Sequence, residues 1–186
     1  MRPAGLHGRP ENMNAFRLGI VMLLLVTALG VVDLVVELPH LPEEVVTQFD
    51  FDGQPSGHGT RSGLSWGHAI AMAAVLLIMG GLPAVLPKLP LALLNVPHKD
   101  YWFAPERRRR SWAFVQAWMA WFGALTQGFM LAIFHGIHRF NRAGDPDATA
   151  VSWIPMAVYF AGMGIGLFLL FARFGKPPGN PGSDID

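Results

Sequence analysis

Four apolar runs, each close to the length needed to cross a lipid bilayer, constrain this chain more than any other feature. They extend from Leu18 to Val36, Gly67 to Leu86, Trp112 to Phe134 and Trp153 to Phe171. About 20 predominantly apolar residues span the hydrocarbon as a helix. Inside lipid, only helices and closed barrels satisfy their own backbone. The expected fold is therefore all-α and integral to a membrane, with four transmembrane helices and a structured extracytoplasmic loop between helices 1 and 2. Charged residues make up 15% of the 186 residues, against roughly 25% in ordinary globular chains. The first run has a rival reading as a secretory signal, with Arg17 ending its basic region and Ala28-Leu29-Gly30 resembling a cleavage site. The run continues past that point to Val36 and three more runs follow, which favours a span.

The polar segments set the orientation. Residues 1–17 form a polar lead, 37–65 an outer loop, 88–110 a cytoplasmic loop and 172–186 a Pro/Gly-rich tail expected to be disordered. The lead, the 88–110 loop and the tail share eleven Lys and Arg, four of them consecutive at Arg107 to Arg110. The other side holds only Arg61, Arg139 and Arg142. Clustered positive charge stays on the cytoplasmic face, which places both termini there. Trp66, Trp102, Trp112 and Trp153 fall at span ends, where amphipathic rings prefer to sit. The expected location is a membrane crossed several times with both termini in the cytoplasm, and the lipid bilayer is the first partner. A net charge of +1 gives no reason to expect nucleic acid.

Polar and small residues inside the spans suggest how they pack. Gln116, Ala120, Gly123 and Gln127 share one face of the third span. Pro155, Tyr159, Gly162 and Gly166 share one face of the fourth. Such faces suit close helix contacts within the bundle, or alternatively a homodimer seam. Asp33 and Glu37 lie one turn apart on the first helix. They either reach outer water, pair with Arg61, Arg139 or Arg142, or titrate in a proton-linked function.

Two segments carry candidate functional residues. In the outer loop, residues 47–52 alternate polar and apolar side chains as a strand would, and Gly53 to Gly57 supply turn chemistry. Phe49 and Phe51 are expected to face the mouth of the bundle, and Phe49, Asp50, Asp52, Gly53, Pro55, Gly57, His58 and Arg61 are the candidates for a ligand or partner site. The cytoplasmic candidates are Pro97, Lys99, Asp100, Tyr101, Trp102, Pro105, Glu106 and Arg107. That string reads as a headgroup anchor, as a docking site for a partner, or as a clasp. In the clasp, Asp100 or Glu106 pairs with an arginine and Trp102 plugs the inner end of the bundle.

Leu41, Pro42, Val45, Thr47, Phe49, Gly53, Pro55, Gly57 and the closing Arg61 form a pattern that resembles a bacterial membrane domain of unknown function. That domain is the N-terminal membrane part of SdpI-like immunity proteins, which protect a cell from a secreted killing peptide. The string Pro97, Lys99 to Trp102 and Ala104 to Arg107 resembles the family's second motif, in the expected order after the second span. The likeness covers roughly residues 18–134. Gln48, Ser56 and His58 depart from the family's usual His, Asp and Trp, and the chain has four spans without the additional C-terminal membrane domain. The resemblance implies a stand-alone four-helix member in a bacterial cytoplasmic membrane, with a peptide toxin or a membrane protein as partner.

Little points to catalysis. No nucleophile elbow, P-loop or dinucleotide fingerprint is present, and the absence of cysteine excludes disulfides and thiolate chemistry. His40, His58, His68, His135 and His138 gather near the outer face with Asp50 and Asp52, and imidazoles with carboxylates are metal ligands by type. No HExxH or complete calcium loop occurs, so the expectation is no enzyme, no metal and no cofactor. The expected function is a non-enzymatic accessory or binding protein. The alternatives are a small proton-linked transporter using Asp33, Glu37, Gln116 and Gln127, or a subunit of a membrane complex.

Overall fold

The computed structural model describes residues 11–50, 52–93, 95–143, 153–175 and 177. Phe51, Gly144, Asp145, Pro146, most of the lead and most of the tail lie outside the described residues. The chain is mostly helical, and four of its helical stretches are long and apolar enough to cross a membrane. In order they are α1 (Glu11–Glu37), a hairpin of β1 (Glu44–Phe49) and β2 (Pro55–Thr60), α2 (Arg61–Val75) and α3 (Leu82–Val85), the short α4 (Lys99–Trp102), α5 (Pro105–Ala143) and α6 (Trp153–Phe174).

Helix α1 buries one stripe, Gly19, Leu23, Gly30 and Glu37, at spacings of four and seven. Its opposite face, with Val21, Leu24, Leu25, Val31 and Val32, is more than half exposed. The buried stripe lies along α5, and the two helices run parallel. Trp121 donates to the Ala15 carbonyl near one end, Gln127 to Thr27 midway, and Arg142 to Glu37 at the other end. Small residues make the approach possible, because a Cβ on Gly19 would sit 2.9 Å from the Ala120 Cβ.

Helix α2 runs antiparallel to α5. Its start is capped by Thr60, whose hydroxyl accepts from the Gly63 amide. Leu76–Gly81 then adopts a π-helix before α3. Pro83 lacks an amide hydrogen and cannot continue an α-helical ladder back to Met79, so the extra residue per turn is accommodated there. Gly123 on α5 admits this wide turn, since a Cβ there would lie 2.5 Å from the Met79 Cβ.

The faces expected from spacing are used inside the bundle. Ala120 and Gln127 are fully buried against α1 and α2, and Gln116 donates to the Pro83 carbonyl at 2.8 Å. Gly162 of α6 faces Leu125, Gly166 faces Trp118, and Tyr159 stacks on Phe129.

Three boundaries differ from the sequence expectation. Helix α1 begins by Glu11, so Arg17 is helical rather than part of an extended lead. Arg107 to Arg110 belong to the first turns of α5 rather than to a loop. Residues 135–143, expected as loop, extend α5 by more than two turns. No proline or helix-ending glycine occurs between Ile137 and Ala143, and the extension gains tertiary partners.

Candidate functional site

The hairpin is fastened to the end of α5. Asp50 shapes its turn: its carboxylate accepts from the amides of Asp52 at 3.0 Å and Gln54 at 2.8 Å. Gly53 takes φ +80°, a conformation that favours glycine. Pro55 pairs with Phe49, Gly57 with Gln48 and His58 with Val46 in an antiparallel ladder. The Asn141 side chain then accepts from the Val46 amide at 2.7 Å and donates to the Val46 carbonyl at 2.9 Å. One amide side chain thus acts as an added strand residue on the open edge of β1. Leu41, Val45 and Leu64 are buried beside it, packed on Phe134 and Ile137. Phe49 meets Phe140 edge-on at 4.9 Å.

Arg61 closes the hairpin base. It pairs with Glu43 and donates to the Leu41 carbonyl. Asp50, Asp52, Pro55 and His58 remain exposed. Of the predicted loop residues, Phe49 and Asp50 line a cleft of about 500 Å³ shared with Met130, Ile133, Ile137 and Trp153. Asp50 and Gly53 have structural explanations as turn residues, and Arg61 has one as a brace.

A second cluster lies inside the helices beneath the hairpin. Asp33 projects from α1 toward α5 and is 10% exposed. One of its oxygens lies 2.5 Å from Nδ1 of His135, the other 2.9 Å from Nδ1 of His138. The spacing of three places both imidazoles on one side of α5. His68 of α2 joins them from the third side, stacked on Phe134 at 4.1 Å and 5.4 Å from the His138 ring. His68 and His138 are fully buried. Among the described residues, neither ring nitrogen of His68 has a hydrogen-bond partner, nor has Nε2 of His138. An unsatisfied buried polar atom costs roughly 1–3 kcal/mol, so this end of the bundle concentrates unmet hydrogen-bonding capacity. One turn along, Glu37 pairs with Arg142 at 3.0 Å. Of the arginines expected to meet Asp33 or Glu37, only Arg142 does. Arg61 is committed to Glu43 and Arg139 is exposed.

The second predicted motif builds the opposite end. Trp102 is buried with Phe103, Trp112 and Phe174, and its indole donates to the Phe174 carbonyl at 3.1 Å. Ser111 donates to the Trp102 carbonyl, and Arg173 covers the Trp102 ring at 4.2 Å. Arg107 lies 3.9 Å over Tyr101 and donates to its carbonyl. The expected pairing of Asp100 or Glu106 with an arginine does not occur among the described residues. Both are exposed, and the arginines engage aromatic faces instead. Pro97 and Pro105 are exposed, and Lys99 opens α4 after His98, whose φ is +50°.

The sequence grouped His68, His135 and His138 with His40, His58, Asp50 and Asp52 near the outer face, but did not join Asp33 to them, and it missed Asn141. The parallel course of α1 and α5 makes the cluster, and no local pattern encodes that. For Asn141 the only signal was its position seven residues after Phe134 in a stretch without helix breakers. No family model, curated protein or solved structure matches this chain.

Proposed function

We propose that this chain is a multi-pass protein of a bacterial cytoplasmic membrane that acts by binding rather than catalysis, with the hairpin end as its binding end. The membrane reading rests on four apolar helices whose exposed faces are apolar, a pattern that is stable only against another apolar phase. The positive-inside bias puts both termini and the Arg107 to Arg110 run in the cytoplasm and the hairpin outside. The single observation that carries the binding reading is the docking of the hairpin on α5. Through the paired bonds between Val46 and Asn141, Phe49 is held as one wall of an apolar cleft. A prearranged apolar cleft with an acidic rim at Asp50 fits a peptide or lipid-like ligand. The likeness of the two motifs to the membrane domain of SdpI-like immunity proteins supports a secreted membrane-active peptide as that ligand.

Survival of a sensitive bacterial host exposed to such a killing peptide tests the reading. Wild type, Phe49→Ala and Trp102→Ala are compared at matched membrane levels. Protection by wild type that falls in the Phe49 variant is the expected result. A well-inserted wild type that gives no protection overturns the immunity form of the proposal.

The interior cluster favours one second reading, a proton-linked carrier. Asp33 and the buried Gln127 lie on the seam between α1 and α5, where intramembrane polar groups mark pathways. A carrier loses activity on Asp33→Asn and tolerates Phe49→Ala; a binding protein shows the reverse.

A further inference from the structure

We propose that Asp33, His68 and His138 form a site for a single divalent transition-metal ion of the Zn²⁺ type, set between α1, α2 and α5. One ligand atom from each of the three lies within 4.8 Å of the others. Two imidazoles and a carboxylate are the donor set that Zn²⁺ takes in sites with one position left open.

The unpartnered His68 carries the argument. A carboxylate oxygen of Asp33 and Nδ1 of His138 already face each other at 2.9 Å, and an ion between them would take both as ligands. His68 is fully buried beside them, and among the described residues neither of its nitrogens has a hydrogen-bond partner. Its Nε2 edge lies against α1, where a Cβ on Gly30 would come within 3.8 Å. A side chain at Gly30 would collide first with the Met72 thioether rather than with the site.

Charge agrees with this assignment. Glu37 is compensated by Arg142, whereas among the described residues Asp33 is paired with imidazoles and with no arginine or lysine. A buried carboxylate without an arginine or lysine beside it favours a cation. A second grouping, Asp33 with Glu37 and His135, shares the same carboxylate. There the His135 side chain is 45% exposed and already bonded through Nδ1, and Glu37 is held by Arg142. His135 is thus a positioning residue on the second oxygen of Asp33. The site requires three helices in their packed places, so the ion would lock the hairpin end of the bundle together.

Cobalt(II) provides the test. The full, tag-free chain is purified in detergent, stripped with chelator and titrated with Co²⁺ while visible absorption is followed, and Zn²⁺ is then added. The expected result is one equivalent of Co²⁺ with ligand-field bands, displaced by Zn²⁺, which such sites bind more tightly. His68→Gln and His138→Gln should abolish the bands. His135→Ala should weaken binding by roughly 10–100-fold, as outer-shell losses do. His98→Asn, at the far end of the bundle, should change nothing. Far-UV circular dichroism and elution volume establish that each variant is folded. Wild type that is folded and binds no stoichiometric Co²⁺ or Zn²⁺ overturns the proposal, and so does unchanged binding in folded His68→Gln. The wild-type stoichiometry decides the matter even where a variant fails to fold, and it is independent of any survival assay.

Discussion

Asn141 of α5 grips the backbone of Val46, 95 residues away in sequence, through both its amide and its carbonyl. Its side chain also donates to the Ile137 carbonyl at 2.9 Å, which orients the amide group. This one contact turns a surface hairpin into part of the helix bundle. Replacing Asn141 with Ala leaves the Val46 amide and carbonyl unpaired. We expect a loss of about 1–3 kcal/mol and faster hydrogen exchange at residues 44–49, read by mass spectrometry on the detergent-solubilised protein. Unchanged exchange there would show that the hairpin holds its place without Asn141.

The opposite end gives a graded prediction. Trp102→Ala removes a buried indole packed on Phe103, Phe174 and Trp112, and should cost about 3–5 kcal/mol. Trp102→Phe keeps most of the packing and loses the bond to the Phe174 carbonyl, at a cost nearer 1 kcal/mol. Thermal melts of the two variants should preserve that order.

Glycine substitutions on α5 should separate by position alone. Gly123→Ala drives a Cβ to within 2.5 Å of the Met79 Cβ, at the wide π-helical turn, and should destabilise the bundle. Gly128→Ala meets nothing within 4 Å among the described residues and should be neutral or stabilising by up to about 1 kcal/mol. Equal melting temperatures for the two would contradict the packing described.

How far the sequence carries can be read from particular residues. Four helices were legible because membrane-length apolar runs have few other solutions. The seam of Gln116, Ala120, Gly123 and Gln127 was legible from helical spacing, and the turn from Gly53 to Gly57, whereas the part Asp50 plays in that turn was not. The extension of α5 to Ala143 was not, because His135, Asn141 and Arg142 read as loop polarity until their partners on α1 and β1 are known. The same holds for the clasp: Trp102 as a plug follows from its aromatic neighbours, whereas Arg107 chose the Tyr101 ring over a carboxylate. Assembling Asp33 with His68 and His138 needs the helix pairing itself, which spacing within one helix cannot supply.

Orientation underlies the whole account, and the absence of cysteine makes it directly measurable. Single-cysteine variants Ser56→Cys, in the hairpin, and Glu106→Cys, at the start of α5, are exposed to a membrane-impermeant thiol reagent in intact cells and again after permeabilisation. We predict that Ser56→Cys reacts in intact cells and Glu106→Cys only after permeabilisation. The converse pattern, or both positions reacting in intact cells, would contradict an outward-facing hairpin, and with it the assignment of that end as the binding end.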